Sequence, residues 1–62
     1  MSKASEEVIR LRKLTGLSQT AFGKRYDIPM RTIQNWENGV SVPPEYVIGL
    51  LRRAVEQDTT NN

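Results

Sequence analysis

Apolar positions three and four residues apart recur along this 62-residue chain, and this spacing is typical of α-helices that bury one face. Gly or Pro residues separate the periodic stretches, so each stretch predicts one short helix. The predicted core residues are Val8, Leu11, Leu14, Leu17, Phe22, Tyr26, Ile28, Ile33, Trp36, Val47, Leu50, Leu51 and Ala54. The pattern therefore predicts an all-α fold in which four short helices surround one core.

Capping residues mark the ends of these helices. Ser5 and Ser18 are the expected N-caps of the first two helices, because a serine hydroxyl can accept from free first-turn amides. Gly16 and Gly39 are the expected C-caps of the first and third helices, and Pro43-Pro44 opens the fourth. The expected segments are a flexible N-terminus at 1–4, a folded domain at 5–56 and a disordered tail at 57–62.

Only about three residues separate the second helix from the third, which is expected over 29–37. Ile28 should be extended because it precedes Pro29, and Pro29 suits the first turn of a helix. Asp27 tolerates the left-handed conformation of a sharp turn. Gly23, a poor helix former, indicates a place where the two helices approach closely. Helices joined in this way cross steeply, as in a helix-turn-helix.

Composition narrows the function. The chain has no Cys and no His, its acidic residues are scattered, and it has no phosphate-binding Gly loop. We therefore expect no enzyme activity, no metal and no cofactor. No apolar run is long enough to span a membrane, and the lack of Cys is compatible with the reducing cytoplasm, the expected location. A net charge of +2 and a pI of about 9.4 permit nucleic-acid binding without requiring it.

The stretch "GLSQTAFGKRYDIPMRTIQNWENG" resembles the helix-turn-helix of the lambdoid phage repressor/Cro family, also called the XRE family. The matching features are Leu17-Ser18-Gln19, Phe22, Gly23, Thr32-Ile33 and Trp36-Glu37-Asn38-Gly39. With "IRLRKLTG" as the first helix, the resemblance covers roughly residues 8–51. It implies a small lambda-repressor-like domain that binds double-stranded DNA as a transcriptional regulator. This chain departs from the family pattern at three points. The family commonly has Ala at the position of Gly23 and Gly at the position of Asp27, and it usually has a fifth helix that this sequence does not predict.

The outward face of the third helix follows from its spacing. Ile33 and Trp36 point inward, which leaves Arg31, Gln34, Asn35 and Asn38 on another face. By the family pattern, Met30, Arg31 and Asn35 match base-reading positions, and Gln34 joins them by its face. Arginine can pair with guanine, Gln or Asn can pair with adenine, and Met30 can offer only apolar contact, for instance to a thymine methyl.

Other residues are expected to hold the DNA backbone or the fold. Gln19 matches a family position that contacts phosphate, and Ser18, Thr32 and Asn38 can donate hydrogen bonds there. Arg12 and Glu37 match a family ion pair that is mainly structural. The simpler alternative for each polar residue is an ordinary hydrated helix surface.

The partners expected are double-stranded DNA and a second copy of the chain on that DNA. An alternative function is a protein-interaction module, either antitoxin-like or an accessory subunit, since the loop after the third helix is not basic. In that case Val40, Val42, Tyr46 and Val47 would form an exposed apolar patch for a protein partner.

Overall fold

Four α-helices make up the part of the chain that the computed structural model describes, residues 3–60, and that part contains no strand. The helices are α1 (Lys3–Thr15), α2 (Gln19–Tyr26), α3 (Met30–Glu37) and α4 (Glu45–Thr60). Helix α1 packs on the other three helices, and α2 packs on α3. The predicted all-α fold of four helices is confirmed. No helix within residues 3–60 has the length and apolar character needed to cross a membrane.

Local capping chemistry sets most of the helix ends. The Ser18 side chain accepts a hydrogen bond from the backbone N–H of Ala21, so the predicted N-cap of α2 is confirmed. Asp27 ends α2 in the left-handed conformation, at φ 59° and ψ 42°. Gly16 and Gly39 also have positive φ, at 74° and 77°, as their expected roles as C-caps require.

Both ends of the folded part extend further than expected. Helix α1 already includes Lys3 and Ala4, and Ser5 is a buried residue inside α1 rather than its N-cap. Helix α4 continues to Thr60. Residues 57–60 are therefore helical, and the expectation of a disordered tail at 57–62 is wrong for these four residues. Met1, Ser2, Asn61 and Asn62 lie outside the described residues.

A tertiary contact holds the last turns of α4. The carboxylate of Asp58 accepts a hydrogen bond of 2.8 Å from the Tyr26 hydroxyl and one of 3.3 Å from Arg25 Nε. Both partners lie at the end of α2, more than thirty residues earlier. The polar composition of 57–62 suggested a loose tail because it gives no sign of this contact.

The core is a cluster of side chains from all four helices. Its buried members are Leu11, Phe22, Ile33, Leu51 and Val55, with Leu17, Tyr26 and Ile28 packed against them. Val8 is also fully buried. The prediction of burial is wrong for two residues, since Leu14 is 52% exposed and Leu50 is 60% exposed. Val55 was missed, and it replaces Leu50 because the buried face of α4 runs from Leu51 to Val55, one helical turn apart.

Gly23 is the point of closest approach between α2 and the chain that follows it. A Cβ atom built there would lie 2.5 Å from the backbone oxygen of Ile28 and 3.3 Å from Cδ1 of Ile33. The predicted reason for a small residue at this position is therefore confirmed. This contact brings the start of α3 against the middle of α2.

Candidate nucleic-acid interface

A three-residue turn, 27–29, positions α3 across α2. The backbone N–H groups of Asp27 and Ile28 both donate to the carbonyl oxygen of Gly23, the second at 2.8 Å. The N–H groups of Thr32 and Ile33 donate to the carbonyl of Pro29 at 3.0 and 3.2 Å. These bonds end α2 and begin α3 with only the three-residue turn between them, so the turn sets the orientation of α3.

Helix α3 has a buried face and an outward polar face. Ile33 is fully buried and Trp36 is half-buried, as the spacing predicted. Met30, Arg31 and Asn38 are exposed, and Thr32, Gln34 and Asn35 are half-buried. Within residues 3–60, the side chains of Arg31, Gln34, Asn35 and Asn38 make no hydrogen bond or ion pair to another residue.

Arg31 differs from most other arginines of the chain. Arg10, Arg12, Arg25 and Arg52 each form an ion pair with a carboxylate, whereas Arg31 has no such partner among the described residues. Arg31 also lies in the first turn of α3, which contains no acidic residue. A cation there is opposed by the helix dipole, since the N-terminus of a helix carries partial positive charge. The first turn of α3 is therefore a site of uncompensated positive charge.

A network around Glu37 ties three helices together. Nε and Nη2 of Arg12 donate to the two carboxylate oxygens of Glu37 at 2.6 and 3.1 Å, and Nη1 of Arg12 donates to the carbonyl of Leu17 at 3.1 Å. Nε2 of Gln19 donates to Oε1 of Glu37 at 3.1 Å. The expected Arg12–Glu37 pair thus joins α1 to α3, and Gln19 adds α2.

The charge of Glu37 is maintained despite its burial, with only 6% of its side chain exposed. Burial by itself raises the pKa of Glu37, but the hydrogen bonds from Arg12 and Gln19 outweigh it, so the pKa lies below its ordinary value. Glu37 therefore stays ionised and keeps accepting from both partners at neutral pH.

The beginning of α2 lies beside the beginning of α3. The Thr20 hydroxyl donates a hydrogen bond of 2.9 Å to the thioether sulfur of Met30. The first backbone N–H groups of α2 have no acceptor within the helix, as at any helix N-terminus. Such groups favour anions, and Ser18 and Gln19 lie at this end.

The helix-turn-helix family model matches residues 8–54 of the chain. The chain belongs to the Cro/C1-type helix-turn-helix family, also called the XRE family. No curated protein and no solved structure matches it significantly. XRE-family membership makes the chain a DNA-binding helix-turn-helix regulator, and the predicted resemblance is confirmed.

The residues that the sequence predicts to contact DNA lie in two groups. Ser18 and Gln19 lie at the start of α2. The second group lies on α3 and at its C-cap and consists of Met30, Arg31, Thr32, Gln34, Asn35 and Asn38. The hydroxyl oxygen of Ser18 and one N–H of Gln19 are already engaged within the protein, by Ala21 and Glu37.

The loop after α3 presents apolar side chains. Val40, Val42 and Tyr46 are exposed as expected, whereas Val47 is half-buried. Leu50 lies one turn after Tyr46 and extends this exposed set. The loop between α3 and α4 contains no basic residue, whereas the exposed face of α3 carries Arg31.

Sequence reasoning missed two contacts beside the interface. One is the hydrogen bond between Thr20 and Met30, which no spacing rule within a single helix reveals. The other is the contact of Arg25 and Tyr26 with Asp58. A signal for the latter existed, because Asp58 lies three residues after Val55 and hence on the same face of α4.

Proposed function

We propose that this chain is a sequence-specific regulator of transcription that reads the major groove of double-stranded DNA with α3. The observation that supports this most is the outward face of α3, whose polar side chains have no partner within residues 3–60. Arg31 is the most informative of them, since it is a cation placed against the helix dipole. Acceptor atoms on guanine or phosphate would compensate that charge.

The base contacts follow from the chemistry of each side chain. Arg31 donates two hydrogen bonds to O6 and N7 of a guanine, and Asn35 or Gln34 pairs with N6 and N7 of an adenine. Met30 contributes an apolar contact at the N-terminal end of α3, the end that lies closest to the bases in this docking geometry. Each bidentate pair discriminates against the wrong base by about 1–3 kcal/mol.

The phosphate contacts position α3 in the groove. Ser18 and Gln19 approach one phosphate together with the free amides at the start of α2. Because Glu37 accepts one N–H of the Gln19 amide, the orientation of that amide is set and its second N–H remains for phosphate. Thr32 and Asn38 add hydrogen bonds from α3.

Two copies bind one site with two-fold symmetry. This arrangement places the two α3 helices about 34 Å apart, one turn of DNA, so that both enter the major groove on the same face. The bound sequence is then palindromic, with half-sites about 10 base pairs apart.

A matched pair of arginine substitutions tests base reading. Both Arg31 and Arg53 are exposed and without an ion pair in the described part of the chain, but Arg53 lies on α4. Duplexes are first selected from a random pool, and affinity for the selected and for a scrambled duplex is then measured by fluorescence anisotropy. Arg31→Gln should reduce the ratio of the two affinities about 5- to 150-fold, as expected for losing one bidentate pair. Arg53→Gln removes the same charge and should leave the ratio unchanged.

NMR titration locates the interface independently. Addition of the selected duplex should shift the amide signals of Gln19 and of residues 30–38, while those of α4 change little. Selection that enriches no sequence, or equal effects of the two arginine substitutions on the affinity ratio, would contradict the proposal.

A further inference from the structure

The hydrogen bond between Thr20 and Met30 is a contact between the first turns of α2 and α3. It exists because Thr20 and Gly23 lie on the same face of α2, three residues apart. Gly23 has no side chain, and a Cβ built there would lie 3.6 Å from the backbone nitrogen of Met30. The close approach at Gly23 therefore brings the Met30 side chain against Thr20.

This contact restricts a side chain that is otherwise flexible. Methionine is unbranched and has three rotatable bonds, so a free methionine on a surface samples many positions. The Thr20 hydroxyl holds the sulfur atom at 2.9 Å, which leaves rotation of the terminal methyl group about the Cγ–Sδ bond. Met30 nevertheless remains 42% exposed at the N-terminal end of α3. The result is a methyl group confined to a small region of the protein surface.

We propose that Met30, held by Thr20, recognises the 5-methyl group of a thymine in the major groove. This inference rests on the proposed function, since it assigns one base to one residue of the same interface. Thymine is the only standard base with a methyl group in that groove. A thioether has no N–H or O–H to offer the acceptors of guanine or adenine, and its weak acceptor is occupied by Thr20.

Thr20 acts in this scheme as a positioning residue. It contacts Met30 and not the base. Because its hydroxyl already restricts Met30 in the free protein, Met30 loses less conformational freedom when the DNA binds. The affinity of the complex then depends on the thymine methyl only while the sulfur is held.

Replacement of thymine by deoxyuridine tests the methyl contact, because it removes that methyl and leaves the hydrogen-bonding edge of the base intact. The whole chain is titrated with the selected duplex and with versions in which each thymine is replaced singly. Binding should weaken about three- to fivefold at one thymine in each half-site, the effect of losing one methyl from an apolar contact. Replacement at the other thymines should have less effect.

Variants assign the effect to the two residues. Met30→Ala should bind the thymine and deoxyuridine duplexes equally. Thr20→Val has nearly the same shape but no hydroxyl, and it should lose most of the discrimination, whereas Thr20→Ser should retain it. The NMR signal of the Met30 ε-methyl group supplies a second readout, since it should become more mobile in Thr20→Val and not in Thr20→Ser. Far-UV circular dichroism checks that each variant is folded.

The possible failures are distinct. If no selected duplex is bound, the proposed function and this inference are both overturned. If the duplex is bound but no thymine is sensitive, or if Met30→Ala keeps the sensitivity, only the reading of the methyl group is overturned. Full discrimination in Thr20→Val would overturn the role of Thr20.

Discussion

Substitution of Gly23 by alanine sets two effects of opposite sign against each other. Helix propensity favours alanine over glycine by about 1 kcal/mol in a helix interior. The tertiary contact opposes it, because the new Cβ would lie 2.5 Å from the backbone oxygen of Ile28, far inside the 3.4–4 Å of ordinary contact. A backbone carbonyl in a hydrogen-bonded turn cannot rotate away as a flexible side chain does, so the turn and α3 have to move.

The magnitude can be worked from these terms. Overpacking of this kind costs typically 1–3 kcal/mol, and the upper part of the range applies because the contact is with backbone. After the gain in propensity, Gly23→Ala should lower the free energy of unfolding by about 1–2 kcal/mol. This is a large share of the total for a chain of 62 residues, which is about 3–9 kcal/mol. The melting temperature should fall by about 5–15 °C.

Gly49 provides the matched control. It lies inside α4, and a Cβ built there meets no atom within 4 Å. Gly49→Ala should therefore show the propensity gain alone, about 0.5–1 kcal/mol of added stability. Urea unfolding followed by circular dichroism at 222 nm measures both variants. If Gly23→Ala is stabilised as much as Gly49→Ala, the close approach of α3 to α2 does not exist in solution.

Three further predictions concern the core and the ion pair. Val55→Ala should lower the free energy of unfolding by about 2–3 kcal/mol, since Val55 is fully buried. Leu50→Ala should change it by less than about 0.5 kcal/mol, because Leu50 is exposed. Equal losses of the two variants in urea unfolding would refute the assignment of the buried face of α4. Glu37→Gln should destabilise by about 2 kcal/mol because Arg12 then lies half-buried beside an uncharged partner, and an unchanged urea midpoint would contradict this. Hydrogen bonds from Arg12 and Gln19 lower the pKa of Glu37 from its ordinary value of 4.5. The contribution of ionised Glu37 to the free energy of unfolding is therefore fully present above about pH 4.5 and is lost as the pH falls below that value. The free energy of unfolding, measured from about pH 7 to about pH 3, should fall less steeply in Glu37→Gln than in the wild type.

Local interactions explain why much of the fold could be predicted. The four helices follow from apolar spacing, and the ends at Gly16, Ser18, Asp27 and Gly39 follow from residues that act within a few positions of themselves. The same holds for the two faces of α3, because helical periodicity alone separates Ile33 from the polar residues. The Arg12–Glu37 pair, by contrast, spans 25 positions, and it was expected only through the family resemblance.

Tertiary structure decided the features that depend on distant neighbours. Leu50, Leu51 and Val55 are all apolar, and only the packing of α4 on the other helices determines that the last two are buried. Asp58 lies in a polar segment that is helical and contacts the end of α2. The contact of Thr20 with Met30 likewise exists only because Gly23 lets α3 approach α2. The sequence by itself thus determined the helices and the polar face of α3. Tertiary structure decided which apolar side chains are buried and which polar side chains are held, because both depend on residues brought together from far apart in the chain.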